Sequence, residues 1–152
     1  MSDPHDWKSW DNYLLIHEKR LGDTSFVREP RLAWRFAHSP DGTVNSIKLE
    51  GTVQCHSDVS VTVYKRLYTR YSARGVLQVR GAEYSYNAQV TGKFTILRYD
   101  NGHQEDPADF HRHEFDLETG EPLPMQHLKR DDMPTLADFL DEVARMVGFN
   151  GA

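Results

Sequence analysis

The sequence is poor in cysteine and has no long apolar run, and each absence excludes a class of protein. Cys55 is the only cysteine among the 152 residues, so an internal disulfide and a cysteine-based zinc cluster are excluded. No apolar run approaches the roughly 18 residues of a membrane-spanning helix. The first residues, MSDPHDWKSW, lack the apolar stretch of a signal peptide. We therefore expect a cytoplasmic protein that does not bind a membrane.

Acidic residues are scarce in the middle of the chain, although the net charge is −5. Residues 63–99 carry one acid and seven bases, whereas residues 100–152 carry thirteen acids and four bases. A basic segment of this kind is typical of an anion-binding face, on which Lys65 and Arg70 are candidates to contact nucleic acid. It is equally typical of solvated basic residues on strands, and the sequence leaves both interpretations open.

The spacing of apolar residues predicts a helix, then a sheet, then a second helix. DWKSWDNYLLIHEKRLG repeats apolar residues near every 3.6 positions, whereas residues 31–99 alternate with a period of two. The strands are joined by short connections, which require antiparallel pairing. Thr135 and Asp138 then form a capping-box pattern at the start of the apolar stripe within residues 136–147.

These patterns predict a single α+β domain over residues 1–152. Its antiparallel sheet should contain about five or six strands, with an amphipathic helix at each end of the chain. The C-terminal helix should bury its apolar side against the sheet through Leu136, Phe139, Leu140 and Val143.

Three tyrosines are expected to cluster on one side of the hairpin at residues 83–99. Tyr84 and Tyr86 share a face of the first strand at period two, and Tyr99 ends the second strand. Tyrosine rings offer flat surfaces for bases and hydroxyls for hydrogen bonds, so the three are candidates for substrate binding. A sheet face filled with tyrosine beneath a helix would have the same pattern.

The segment RYDNGHQEDPADFHRHEFD, residues 98–116, is the richest in groups that can do chemistry. Histidine is suited to proton transfer near neutral pH. A phosphodiester can be cleaved without metal by a base, an acid and a cation. His103, His111 or His113 could supply the first two and Arg98 the third. A polar loop whose histidines bind neighbouring acids is the alternative.

The same histidines could instead hold a metal ion. His111 and His113 are two positions apart, so on a strand they point the same way, and His103 or Asp106 could complete an open site. No recognised zinc signature is present in the sequence. A divalent metal at His111, His113 and His103 is thus an alternative to chemistry without a cofactor.

The order of motifs from residue 82 to residue 147 resembles the TumE-like toxins of prokaryotic toxin–antitoxin pairs. A Y-x-Y strand, a glycine hairpin, RYDN-x-H, a proline-containing loop, a close histidine pair and an amphipathic helix follow one another. The matching residues are Tyr84, Tyr86, Arg98, Tyr99, Asp100, Asn101, His103, His111 and His113. The resemblance implies a small toxin that acts on RNA or on the ribosome and is neutralised by an antitoxin encoded beside it, which we expect to be a helix-turn-helix protein.

We therefore hypothesise a metal-independent ribonuclease or translation inhibitor. His103 and His111 are the acid–base candidates, and His113 is a substitute or orienting partner. Arg98 would stabilise phosphate charge, while Asp100 and Asn101 would orient the catalytic side chains. A non-catalytic module that binds nucleic acid or protein and a metal-dependent hydrolase are the rival hypotheses. The oligomeric state, including a homodimer, stays open.

Overall fold

The computed structural model describes residues 6–101 and 110–150, which form one antiparallel sheet with two α-helices. The strands are β1 (Lys8–Ser9), β2 (Val27–His38), β3 (Val44–Cys55), β4 (Val59–Tyr71), β5 (Leu77–Val90), β6 (Thr95–Asp100), β7 (Phe110–Glu114) and β8 (Gln126–Leu128). The helices are α1 (Trp10–Gly22) and α2 (Leu136–Met146), and a single 3₁₀ turn spans Arg130–Asp132. None of the helices in these ranges is long and apolar enough to cross a membrane.

The sheet is an antiparallel meander in which strands β2 to β8 lie side by side in chain order. The short β1 pairs with the first half of β5, where Lys8 lies opposite Val79. Strand β6 pairs with the second half of β5, from Ser85 to Gln89. The prediction of an antiparallel sheet with a helix near each end is confirmed.

The predicted number of strands, five or six, is wrong, because the described residues contain eight. Residues 77–90 form one long strand, β5, whose pairing register with β4 shifts between Arg66 and Leu67. Strands β1, β7 and β8 were missed. They span two, five and three residues, and β7 carries histidines and an arginine where a clean apolar alternation would be needed to signal a strand.

Glycine is needed at the irregular point of β5. The ring of Tyr84 folds back along its own strand, and its hydroxyl occupies the space that a side chain at Gly81 would fill. Any larger residue at position 81 would displace Tyr84 from the core, because the two groups cannot share that space. Gly81 therefore permits both the bulge and the packing of Tyr84.

Both helices begin at side-chain caps. The Ser9 hydroxyl accepts a hydrogen bond from the Asn12 amide at 3.2 Å, and the Thr135 hydroxyl accepts one from the Asp138 amide at the same distance. The apolar side of α2 packs on the sheet as predicted, with Phe139 fully buried. Leu136, Leu140 and Val143 are buried beside it.

The two faces of the sheet differ sharply in composition. On the face covered by the helices, side chains such as Val61, Val63 and Tyr86 are almost fully buried in one core. Their neighbours along each strand point to the opposite face, because successive side chains alternate. We call that opposite side the polar face; its central residues are Lys48, Glu50, Thr52, Thr62, Tyr64, Arg66, Ser85, Asn87, Arg98, Asp100, His111 and His113.

Lys65 is the exception to this separation, because it lies on the apolar face. Its side chain is 95% buried (5% exposed), and its ammonium sits over the rings of Tyr13 and Tyr84, at 4.9 and 5.2 Å from their centroids. Burial lowers the pKa of Lys65 to about 7. The expectation that Lys65 contacts nucleic acid from a strand surface is therefore wrong, since the amine lies in the core beneath α1.

The buried lysine makes stability depend on pH. An unfolded lysine keeps its proton up to a pH of about 10.4, whereas folded Lys65 loses its proton near pH 7. Between these values the unfolded chain binds more protons, so the free energy of unfolding should rise with pH. The free energy of unfolding of the wild type, relative to that of Lys65→Met, should rise by about 2 kcal/mol between pH 7 and pH 9.

Urea unfolding of both proteins across this range measures the gain. The same comparison with Lys93→Met serves as control, because Lys93 is an exposed lysine in the turn after β5 and should give parallel curves. Parallel curves for Lys65→Met as well would contradict a depressed pKa at Lys65.

Candidate functional site

The register of the last three strands gathers ionisable side chains at one end of the polar face. Asp100 on β6 lies opposite His111 on β7, and His111 lies opposite His127 on β8. Arg98 lies opposite His113 in the same ladder. Paired residues in adjacent strands point to the same face, so these five side chains converge. We call Arg98, Asp100, His111 and His113 the histidine cluster.

Asp100 occupies the centre of the histidine cluster. Its Oδ2 lies 2.8 Å from the Nε of Arg98. Its Oδ1 lies 3.7 Å from the Nδ1 of His111 and 3.9 Å from the Nε2 of His113. The ring centroids of the two histidines are 5.9 Å apart. One carboxylate therefore neighbours a guanidinium and two imidazoles.

The cluster has a buried side and an exposed side. The side chains of Asp100 and His111 are 11% and 5% exposed, whereas those of His113 and Arg98 are 22% and 42% exposed. An approaching anion would thus meet Arg98 and His113 first. Asp100 is placed behind them, where it can fix their orientation.

The cluster also has the geometry of a metal site. Asp100, His111 and His113 each offer one ligand atom, and these three atoms all lie within 4.8 Å of one another. Two imidazoles and one carboxylate suit first-row transition metals, and the three-ligand set would leave coordination positions open. His103 or Asp106 was predicted as the third ligand, whereas among the described residues Asp100 takes that place.

The described structure covers most of the residues that the sequence singled out. His103 and Asp106 lie outside the described residues. His111 and His113 point to the same face, as predicted for a strand, because FHRHE is extended. The structure also brings His127 to the cluster, with its ring 5.0 Å from that of His111. Nothing in the local sequence signalled His127, since only the pairing of β7 with β8 places it there.

The three tyrosines, which were candidates for substrate binding, do not border the histidine cluster. Alternation along β5 and β6 puts them on the helix face, while Arg98 and Asp100 point to the polar face. Tyr84 and Tyr86 are 1% and 0% exposed, and the Tyr86 ring lies 5.5 Å from that of Phe139. They fill the core beneath α2.

Tyr99 joins the sheet to α2. Its hydroxyl donates to the Oε1 of Glu142 at 2.6 Å and accepts a hydrogen bond from the Nε of Arg112 at 2.9 Å. Burial, together with the Glu142 carboxylate, raises the pKa of Tyr99 to about 12. Tyr99 therefore stays protonated at neutral pH and acts as a structural hydrogen-bond donor on the helix face.

Asn101 also has structural contacts. Its side-chain oxygen accepts a hydrogen bond from the Tyr84 amide at 2.7 Å, and its nitrogen donates to the Ala82 carbonyl at 2.8 Å. Both partners are backbone groups at the bulge of β5. These contacts clamp the end of β6 to β5 and so hold the adjacent Asp100 in place.

Two arginines of the basic segment form ion pairs. Arg66 pairs with Glu83 at 2.9 Å, and Arg98 pairs with Asp100 at 2.8 Å. Arg70 is exposed, with its guanidinium 4.1 Å from the centroid of the Trp7 ring and its Nε donating to Gln78. Of the two candidates for nucleic-acid contact, Arg70 alone has an exposed side chain.

A comparison with protein families identifies a family for this chain. The model described as "Toxin TumE" matches residues 19–147, which is well over half of the chain. The chain belongs to the TumE toxin family. The searches of curated proteins and of solved structures gave no match.

The family match covers more of the chain than the motifs that carried the resemblance. The resemblance rested on residues 82–147, but the match begins at Lys19, near the end of α1. It therefore includes β2, β3 and β4 as well as the strands of the histidine cluster. A toxin of a toxin–antitoxin system has a cognate antitoxin as its partner.

The buried hydroxyl of Tyr86 provides a test of the corrected geometry. This hydroxyl has no hydrogen-bond partner among the described residues, so Tyr86→Phe removes a polar group that burial penalises. The free energy of unfolding should be unchanged or rise by about 1 kcal/mol.

Chemical denaturation measures this effect. Tyr99→Phe is the matched control, because it loses two hydrogen bonds and its free energy of unfolding should fall by about 1–3 kcal/mol. A loss of stability in Tyr86→Phe as large as that in Tyr99→Phe would contradict a Tyr86 hydroxyl that is buried without a partner.

Proposed function

We propose that this TumE-family chain is a ribonuclease and that the scissile phosphodiester of RNA binds at the histidine cluster. The observation that carries the proposal is the position of Asp100, which lies between Arg98 and two histidines at one end of the polar face. RNA, free or in the ribosome, is the proposed target, and a helix-turn-helix antitoxin is the proposed partner.

Arg98 and His113 would contact the phosphodiester, because they are the more exposed members of the cluster. His113 would take the proton of the ribose 2′-hydroxyl, and the 2′-oxygen would bond to phosphorus. Arg98 would stabilise the negative charge that develops on the phosphate oxygens. Arg98 is still a cation when paired with Asp100, and the pair would be held in place before substrate binds.

The leaving 5′-oxygen must receive a proton as its bond to phosphorus breaks. His111 or the sequence-predicted His103 would donate that proton. The products would be a 2′,3′-cyclic phosphate and a 5′-hydroxyl, so atoms and charge balance without a metal or a water molecule. Asp100 would orient the two imidazoles, because its Oδ1 lies between them.

Substitution of the histidines tests this assignment. His113→Ala should lower the cleavage rate of an RNA oligonucleotide by on the order of 10²-fold, the usual contribution of a general acid or base. His111→Ala and His103→Ala, assayed separately, identify the proton donor. Arg98→Ala should also lower the rate, because the transition-state charge loses its partner.

His38→Ala is the matched control, because His38 is an exposed histidine at the end of β2, on the far side of the meander. It should cleave at the wild-type rate. Wild-type products that carry 5′-phosphates, or equal rates for His113→Ala and His38→Ala, would oppose the proposed chemistry. RNA binding without cleavage under any condition would favour the non-catalytic module.

A metal-dependent hydrolase is the second candidate, and the spacing of Asp100, His111 and His113 favours it. In this case the three side chains would hold a divalent metal, and a metal-bound water would be the nucleophile. Acid–base chemistry predicts full activity in EDTA and no stoichiometric metal by elemental analysis.

The metal candidate predicts loss of activity in EDTA and recovery on adding Mn²⁺ or Zn²⁺. Asp100→Ala and His113→Ala should then fail to bind the metal, whereas His127→Ala should retain it, since His127 is outside the three-ligand group. Metal retained by His113→Ala would count against this site.

A further inference from the structure

A second cluster of cationic groups lies on the other side of the sheet, between α1 and the start of α2. These elements enclose a cleft that is partly open to solvent. Lys65 of β4 lines it from the sheet, and Tyr13, His17 and Arg20 line it from α1. The histidine cluster points to the opposite face, so this cleft is separate from the proposed site of RNA cleavage.

Lys65 is a cation without a counter-charge. Its side chain is 5% exposed, and among the described residues no carboxylate forms an ion pair with it. The two tyrosine rings beneath its ammonium give only a part of the stabilisation that water would provide. Burial lowers the pKa of Lys65 to about 7. An anion in the cleft would supply the missing charge and favour the protonated amine.

The other side chains that line the cleft also favour an anion. Lys8 and Arg20 add two further cations, and no acidic side chain of the described residues lines the cleft. The Tyr13 hydroxyl is buried without a hydrogen-bond partner among those residues. Burial and then the charge of Lys65 lower the pKa of His17 to about 4, so His17 is a neutral hydrogen-bonding group at pH 7.

The first residues of α2 complete the cleft. Thr135, Leu136 and Ala137 line it, and the N-terminus of a helix carries a partial positive charge with backbone amides directed outward. This helix end alone would not define a site. It coincides here with an unpaired buried ammonium and a buried hydroxyl that has no partner among the described residues.

We propose that the cleft between α1 and α2 binds a phosphate group, with Lys65 and Arg20 as its cationic contacts and the Tyr13 hydroxyl as a donor. A phosphate matches the site better than a carboxylate does, because it carries up to two charges and more acceptor oxygens for the three cations and the helix end. The phosphate is free or is part of a phosphomonoester. Either form occupies the helix side of the sheet, away from the scissile bond.

Titration of the full chain with inorganic phosphate tests the proposal. Isothermal calorimetry at pH 7, with chloride added to hold ionic strength constant, should give saturable binding. Lys65→Met should weaken the affinity by about tenfold or more, and Arg20→Ala by several-fold, since each removes a charged contact. Lys19→Ala should bind like the wild type, because Lys19 is the exposed neighbour of Arg20 and does not line the cleft.

Adenosine 5′-monophosphate and acetate distinguish the sources of the anion. Tighter binding of the nucleotide than of inorganic phosphate, lost in Lys65→Met, supports the proposal with a phosphomonoester as ligand. Equal binding of the two ligands supports the proposal with free phosphate as ligand.

Acetate binding as tightly as phosphate would overturn the choice of phosphate. Wild-type affinity in both Lys65→Met and Arg20→Ala, or no saturable binding to the wild type, would overturn the site. Arg20→Ala keeps the test decisive if Lys65→Met does not fold, because Arg20 is exposed on α1.

Discussion

The alternation of side chains along β3, β4 and β5 is the constraint on which the rest of the structure depends. These strands pair over long, nearly continuous registers, from Ser46 opposite Tyr68 to Val59 opposite Val90. A shift of one residue would exchange the two faces of a strand, so the apolar side chains fix the register. Once Val61, Val63 and Tyr86 are buried beneath α2, every neighbour in the ladder has its face assigned.

The same alternation puts the histidine cluster on one face of the sheet and the contacts with α2 on the other. Arg98 and Asp100 point to the polar face and meet the histidines of β7, whereas Tyr99 between them points to the helix face. Tyr99 binds Glu142 of α2 and Arg112 of β7, so packing of the helix also holds the strands of the histidine cluster. The helix face thus contributes to the cluster by positioning strands, without adding a side chain to it.

Lys65 is a charged residue that the alternation of side chains places on the apolar face. Its place in β4 requires it to point to the apolar face, and an unpaired ammonium there is unfavourable unless it is neutralised or finds an anion. The cleft above Lys65, which contains further cations and the start of α2, could hold such an anion. A hydrophobic residue of similar length would fit the core without this conflict, so the lysine points to a function that the histidine cluster does not have.

Local sequence determined most of the fold. The 3.6-residue spacing and the cap at Thr135 placed α2, and the period of two placed the strands from β2 to β6, because each signal depends on a few adjacent residues. Family motifs in RYDN and FHRHE directed attention to Arg98, His111 and His113. The strands β1, β7 and β8 were not predictable in the same way, since each is too short to establish a period.

Tertiary structure decided which of these residues meet. The pairing of β6, β7 and β8 made Asp100 the centre of the cluster and added His127, and no local pattern encodes which strand lies beside which. Alternation removed the tyrosines from that face, and the packing of α1 over β4 turned Lys65 from a surface cation into a buried one. Sequence alone determined the elements and their apolar sides, because those follow from neighbours along the chain. Contacts between distant segments determined the two sites, because burial and charge at a site depend on groups that the chain brings together only on folding.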